Sequence, residues 1–532
     1  MPSHVVIGGG VNGLSVAWGL AQQGADVVVL DKGRIGSGAS GIAGGIVRNY
    51  YRAEAITELV RLSVEIFEED PEAYGFRQVG YLAAVPEAQE DDLVAIREQH
   101  ERIGYESELV TGAEACREYL TWSWPDWDAP VAALLHERRG GWADAMQTVR
   151  RLAELARAAG AEIREGAEVV GFELGESGVE AAITYGGERV ECETLVLAPG
   201  PRAAQLWRLL GLDPHVEVDG VQRPLVEYLK AQESEFALGG AGFSGRAGSE
   251  APVVPLDQAG PLSSDRDGSV LVNGPWGIYF RMGRTGTGIT GGGLPVLLED
   301  PALDPYGPDN PEHAVEPAFR DFFISGLAAA LPRFRGRAED WKLTAAGGIV
   351  AHTPDNYPVC DWVLDNVYAI VDSGHGFKTL AVGRLAAQDI ADSGEEHLEP
   401  FRLDRFPPRR AARGLQGPVP VDMIRHGRKR AFGALVGALA IFFTLSGNIL
   451  SVFFLLPVAL TTWFVFLRPV WRKRYRQAVR TLPKWELPSV AACNRKAAST
   501  LDRCSRRSRL QLRASTQPGS AGPGRWQVAS DA

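Results

Sequence analysis

The sequence predicts an α/β (α+β) protein in which a Rossmann-type nucleotide-binding domain is interrupted by an antiparallel-sheet domain and followed by a segment of another kind. Three observations carry this reading. A β-branched run, a glycine turn, a helical stretch and a second β-branched run follow one another within the first 31 residues. Between about 215 and 340, short alternating runs such as "SVLVNG" and "GIYFRM" are punctuated by Gly and Pro. Beyond residue 430 a long uncharged stretch is flanked by arginine and lysine.

Taken in order, Val5 to Ile7 reads as a strand, Gly8 to Gly13 as a glycine turn and Leu14 to Gln23 as a helix stopped by Gly24. Asp26 to Leu30 is then a second buried strand that ends on Asp31. Gly8, Gly10 and Gly13 have the GxGxxG spacing: one glycine for the tight turn, one for approach of main chain to a pyrophosphate, one for close packing of helix on strand. Val11 and Asn12 lie inside the same turn, and the helix N-terminus offers N–H groups to phosphates. Asp31 stands where a carboxylate can accept from a ribose hydroxyl. A dinucleotide is expected, against the alternative of a purely structural glycine turn.

Further on, Met146, Val149, Leu152, Leu155 and Ala159 recur at helical spacing over Ala143 to Ala159, a core stripe. The strands "AEVVGFEL" and "VEAAITYGG" follow, and "ETLVLAPGPRAAQLW" is a strand that ends at Pro199 and Gly200 before a helix. The chain returns to the first domain with "NVYAIVDSGHGFKTLAVGRLAAQDIADSG", a strand, a Gly-His-Gly turn and a helix.

Composition bounds the function. Residues 401–532 hold 24 Lys/Arg against five Asp/Glu, leaving 31 basic and 61 acidic side chains in residues 1–400. An acidic, soluble body is thus joined to a basic end that meets something anionic. The five cysteines are scattered, with no metal-ligand spacing, and read as reduced thiols of a cytosolic catalytic part. The first apolar run is too short for a signal peptide. Neither a metal nor a nucleic-acid partner is expected.

"GGGVNGLSVAWGLAQQGADVVVLDKG", "GSGASGIAGGIVR", "TPDNYPVCD" and "SGHGFKTLAVG" together resemble the FAD-dependent amine and amino-acid oxidoreductases of the D-amino-acid oxidase superfamily. The likeness is to the sarcosine oxidase and dimethylglycine dehydrogenase-like branch and spans residues 4–405. It implies an FAD-binding domain made of 1–80, 140–214 and 341–405 and a substrate domain made of 81–139 and 215–340. It also implies bound FAD, with Asp31 on the adenosine ribose and Gly8, Gly10, Val11, Asn12, Gly13, Lys32, Ser40, Gly200, Gly374, Gly376, Phe377 and Lys378 as further cofactor contacts. Arg48 and Lys378 fall where that branch clamps a substrate carboxylate; the alternative for each is an ordinary surface cation. His375 lies against the flavin ring or satisfies a backbone carbonyl.

Departures from the family pattern matter as much. Gly348 stands where monomeric sarcosine oxidases carry the flavin-linking cysteine, and no histidine occurs between Gly36 and Arg48, so FAD is expected to be non-covalent. Val350 stands where glycine and D-amino-acid oxidases carry a carboxylate-binding arginine. Thr290 stands where an oxygen-activating lysine is found, which implies a dehydrogenase, because a neutral hydroxyl stabilises developing superoxide poorly. The expected reaction is oxidation of a small carboxylate-bearing secondary or tertiary amine, with a quinone or carrier protein as acceptor. An assembly flavoprotein without turnover and an oxygen-using oxidase remain open.

From Ala431 to Leu467 there are 37 residues with neither charge nor histidine. One helix of that length would run to ~55 Å, too long for a ~30 Å hydrocarbon layer. A break at Ser446 to Asn448 would leave two arms, and cations flank both outer ends but not the turn, so both ends stay cytoplasmic by the positive-inside rule. Residues 431–467 are therefore expected to form a membrane hairpin in contact with lipid, with 406–430 as a basic linker and the catalytic body on the cytoplasmic side. A buried soluble helix pair is the plainer alternative. Residues 468–532 read as a basic, largely disordered tail that touches anionic lipid or nothing, or that is an accidental fusion.

Overall fold

The computed structural model describes residues 2–406, apart from 177, 239–250, 284–287, 344–346 and 393. The expected hairpin and tail lie outside the described residues. Among the described residues no helix is long and apolar enough to cross a membrane.

The β-branched runs build a six-stranded sheet in the order Val359–Leu364, Val367–Val371, Thr194–Leu197, His4–Ile7, Val27–Asp31, Glu162–Glu165. All neighbours are parallel except the first pair. Strands covered on both faces need apolar side chains at successive positions, and Val5, Val6, Val27 and Val29 are fully buried. The helices Val11–Gln22, Ala145–Ala158 and Ala381–Asp392 contribute to the core on one face. A three-stranded sheet from Val169 to Glu191 and the helix Ala203–Leu209 cover the other.

Two helix starts differ from the sequence pattern by more than one residue. The first helix begins at Val11 because Gly10, in an extended conformation, is its N-cap, so Val11 to Gly13 are its first turn rather than part of a loop. The helix expected from Ala143 begins at Ala145, because the Asp144 carboxylate accepts from the N–H of Gln147 and caps it. The first and last helices pack almost backbone to backbone. A Cβ on Gly19 would lie 2.6 Å from that of Ala387, and Ser15 donates to the Leu380 carbonyl at 3.3 Å.

A second, eight-stranded sheet runs Trp341–Leu343, Glu233–Leu238, Gly288–Gly293, Trp276–Met282, Val254–Gln258, Tyr81–Val85, Ala133–Glu137, Glu108–Thr111. Side-chain alternation gives it two characters. Phe236, Ile278, Phe280 and Ile289 share a core with the helix Phe319–Ala330, Phe236 stacking on Phe323 with centroids 4.5 Å apart. The opposite face carries Glu233, Asp257, Tyr279, Arg281 and Thr290, a polar set in the middle of a large sheet.

Candidate functional site

The glycine turn forms a cradle of main chain. Gly8 has φ +112°, and a Cβ on it would overlap the Ala198 carbonyl; a Cβ on Gly13 would overlap that of Gly8. Both positions therefore require glycine. The first helix has no side-chain N-cap of its own, and its first N–H, from Val11, donates instead to Ser40 Oγ at 3.2 Å. Asn12 Oδ1 is buried without a hydrogen-bond partner. The Asp31 carboxylate ties two turns together, accepting from Gly9 and Gly33 N–H at 2.7 Å each. Lys32 is shared between Asp304 at 2.8 Å and Glu168 at 3.1 Å. Gly200 opens the segment after Thr194–Leu197 with φ +57°.

A second cluster gathers where two distant segments meet. Arg48 follows the short strand Ile46–Val47 and is 3% exposed. Its guanidinium carbon stands 4.8 Å from the ring centre of Tyr51, with Tyr50 and Tyr81 at 5.8 and 5.7 Å, and Nη1 donates to the Tyr50 carbonyl at 2.8 Å. Such a position excludes the surface-arginine reading. The neighbouring Asn49 is held at both ends: its N–H donates to Glu137 Oε2 at 2.5 Å, and His100 Nε2 donates to its carbonyl at 2.8 Å. Burial pushes the Glu137 carboxyl up to about 7, against the opposing pull of the Asn49 N–H and Arg48.

From the other segment, the turn after Val367–Val371 brings Gly374, His375, Gly376, Phe377 and Lys378. Gly374 and Gly376 have φ +70° and +49°, the left-handed region that suits glycine, and Gly374 lies against the His352 ring. His375 Nε2 donates to the Asn356 carbonyl at 2.8 Å, and Nδ1 accepts from the Tyr51 hydroxyl at 3.2 Å. Burial, with the charges of Lys378 and Arg48, lowers its pKa to about 3, so the ring is neutral. Of the two readings of His375, the hydrogen bond to a carbonyl is present. Lys378 is 8% exposed, whereas Phe377 turns its ring into the core and leaves only main chain to face a ligand.

The polar face of the eight-stranded sheet closes this cluster. Arg281 stacks over Trp142 at 4.0 Å and donates to the Gly44 carbonyl at 3.3 Å. Glu233 sits within the fields of Arg281 and Lys378. Sequence reasoning missed Glu233, Tyr279, Arg281 and Trp142. The available signal was the alternation of charged residues in "ESEFAL" and "GIYFRM", where one face of a buried sheet stays polar.

Residues 3–389 match the family model described as FAD dependent oxidoreductase. The chain belongs to this family. Sarcosine oxidase subunit beta of Rhizobium meliloti is 28% identical over 419 residues, covering 76% of this chain and 88% of that one. Among solved structures, L-proline dehydrogenase from P. horikoshii superposes with a TM-score of 0.60 at 24% identity, over 76% of this chain and 98% of that one. Glycine oxidase from Geobacillus kaustophilus gives 0.56 at 19%, with the same coverage.

This FAD-dependent oxidoreductase is accordingly of the kind that acts on CH–NH bonds of amine or amino-acid substrates. Its cradle fits the cofactor. A helix start with no side-chain cap of its own and glycines that no Cβ can join without a clash are what a diphosphate would meet. At Gly348, a Cβ would overlap the end of the Ile42 side chain and approach the Tyr306 hydroxyl to 3.2 Å, so a larger residue there would have to displace other atoms.

Proposed function

We propose that the enzyme oxidises a small secondary or tertiary amine that bears a carboxylate, of the N-methyl amino-acid type. The observation that carries this is the convergence of two buried cations, Arg48 and Lys378, from opposite ends of the catalytic region onto His375. Two such cations can fix a carboxylate at two points, which turns loose binding into a near-attack geometry. The names of two relatives point the same way, since sarcosine and proline are both secondary amines with a carboxylate.

In this reading Gly8, Gly10, Val11, Asn12 and Gly13 hold the FAD diphosphate with Ser40 beside them, and Asp31 holds the ribose. Lys32, Gly200 and the main chain of Gly374, Gly376, Phe377 and Lys378 line the rest of the cofactor. FAD supplies the acceptor for the hydride that leaves the carbon next to nitrogen. Neutral His375 is a wall of the site, fixed by Tyr51 and Asn356, and holds no mobile proton. The test is anaerobic: a panel of N-methyl amino acids should bleach the flavin, and simple amines of equal size should do so far more slowly. No bleaching by any member would favour an assembly protein without turnover.

We further propose that the enzyme works as a dehydrogenase on the cytoplasmic face of a membrane, held by lipid contact through residues 431–467 and passing electrons to a quinone or a carrier protein. The uncharged run, its central Ser-Gly-Asn and the flanking cations support the attachment; Thr290 supports the choice of acceptor. The full chain should sediment with membranes and resist carbonate extraction, while a chain ending at residue 430 should not. Reoxidation of the reduced enzyme by air faster than by quinone analogues would overturn the acceptor.

A further inference from the structure

Arg48, Lys378 and Arg281 are each more than nine-tenths buried in this cluster. Glu233 approaches from the sheet. In the ladder it stands level with Gly292, which stands level with Tyr279. Gly292 has no side chain, so the Tyr279 ring lies across it and the phenol reaches over toward Glu233. Any larger residue at 292 would block that reach. On its other side the carboxylate rests on Gly44, where a Cβ would overlap it, and the Gly44 main chain favours its charged form. Its Oε1 is buried and has no hydrogen-bond partner. An unsatisfied buried carboxylate oxygen is costly, and it is held here by two glycines and a tyrosine beside a site that takes a charged ligand.

We propose that Glu233 receives the amino nitrogen of the substrate, taking its ammonium proton on Oε1 before the oxidation. The proposal rests on the reading of the site as one for a carboxylate-bearing amine. At neutral pH such an amine is protonated and has no lone pair to assist the loss of hydride. The transfer breaks one N–H bond, forms one O–H bond on Oε1 and leaves the lone pair on nitrogen; no electrons change hands. The proton returns to water when product leaves. The groups that face Glu233 are Tyr279 and Arg281 from the next strand but one, the Gly44 main chain and Lys378 from the last turn, with Glu235 further along its own strand. Burial raises its proton affinity above that of an ordinary carboxylate while these four partners hold it down, which suits a group that must gain and lose a proton.

The test uses the holoenzyme and Glu233→Gln. Binding is read from perturbation of the flavin spectrum by acetate, which has no amine, and by N-methylglycine. Glu233→Gln should bind acetate at least as tightly as the wild type and N-methylglycine roughly tenfold more weakly. Anaerobic flavin reduction in the variant should need a pH at least about one unit higher, following the ammonium pKa of the free amine. Gly44→Ala, which displaces the carboxylate without removing it, should move both measurements the same way and guards against a folding defect in the first variant. Unchanged selectivity between the two ligands, or an unchanged pH profile, would overturn the proposal. A wild type bleached by no amine, yet in which Glu233→Gln shifts the two ligands as stated, would remove the turnover reading and support the contact between Glu233 and nitrogen.

Discussion

Arg281 stands directly across the ladder from Thr290, so that threonine has a buried guanidinium as its neighbour. That guanidinium is turned onto Trp142 and the Gly44 carbonyl, and Glu233 lies in its field. A charge shared with a carbonyl and a carboxylate exerts less net field on a third atom than an added ammonium would. Thr290→Lys should therefore speed reoxidation of the reduced flavin by oxygen at least about tenfold in stopped-flow mixing. No change would mean that Arg281 already supplies the charge, and the dehydrogenase reading would fall.

Arg48→Ala and Lys378→Ala test the clamp. Removing one partner of a buried charge contact costs ~2–5 kcal/mol, or roughly 30-fold to several thousand-fold in affinity. Carboxylate-bearing amines should lose that much in kcat/KM, and amines without a carboxylate should change far less. Equal loss on both classes would show that the two cations support the fold rather than the ligand.

Gly13→Ala tests the cradle. The added methyl group would collide with the main chain of Gly8, which cannot move away as a side-chain end could. Overpacking of this kind costs ~1–3 kcal/mol, so FAD should bind roughly ten- to a hundredfold more weakly, read as flavin content after dialysis. Gly171→Ala, whose Cβ would meet nothing within 4 Å, should keep its flavin.

Glu137 makes stability depend on pH. Its carboxyl has a pKa of about 7 when folded against an ordinary 4.5, so the folded state binds the proton more tightly than the unfolded chain. The protein's stability contribution from this group is complete below 4.5 and is lost as pH rises through 7, a span worth on the order of 3 kcal/mol. Glu137→Gln should flatten that part of the profile. Denaturant melts should show the variant gaining on the wild type from pH 4.5 to 7 and the difference holding constant above; a gap independent of pH would contradict the buried, proton-binding carboxyl.

The parts of the molecule legible in the sequence are those whose physics is local. Strand, glycine turn, helix and strand at the N-terminus each follow from residues within a few positions, and only the helix start was displaced by more than one residue, because glycine at an N-cap looks like glycine in a loop. Arg48 and Lys378 could be singled out only through resemblance, since nothing local distinguishes a buried cation from an exposed one. Glu233, Tyr279 and Arg281 were legible only as polar positions alternating with apolar ones, not as a cluster. Their meeting depends on the register of strands separated by some 40 residues and on the missing side chain of Gly292 between them, and register is a property of the folded sheet.

The packing of the first helix against the last has a consequence for biosynthesis. The strand Thr194–Leu197 pairs on its outer edge with Val367–Val371, and the flank of the first helix around Gly19 packs on Ala381–Asp392. A nascent chain on the ribosome therefore carries an open strand edge and a bare helix flank until nearly four hundred residues have emerged. Chaperone dependence should end, and flavin capture begin, only when that final helix has cleared the exit tunnel.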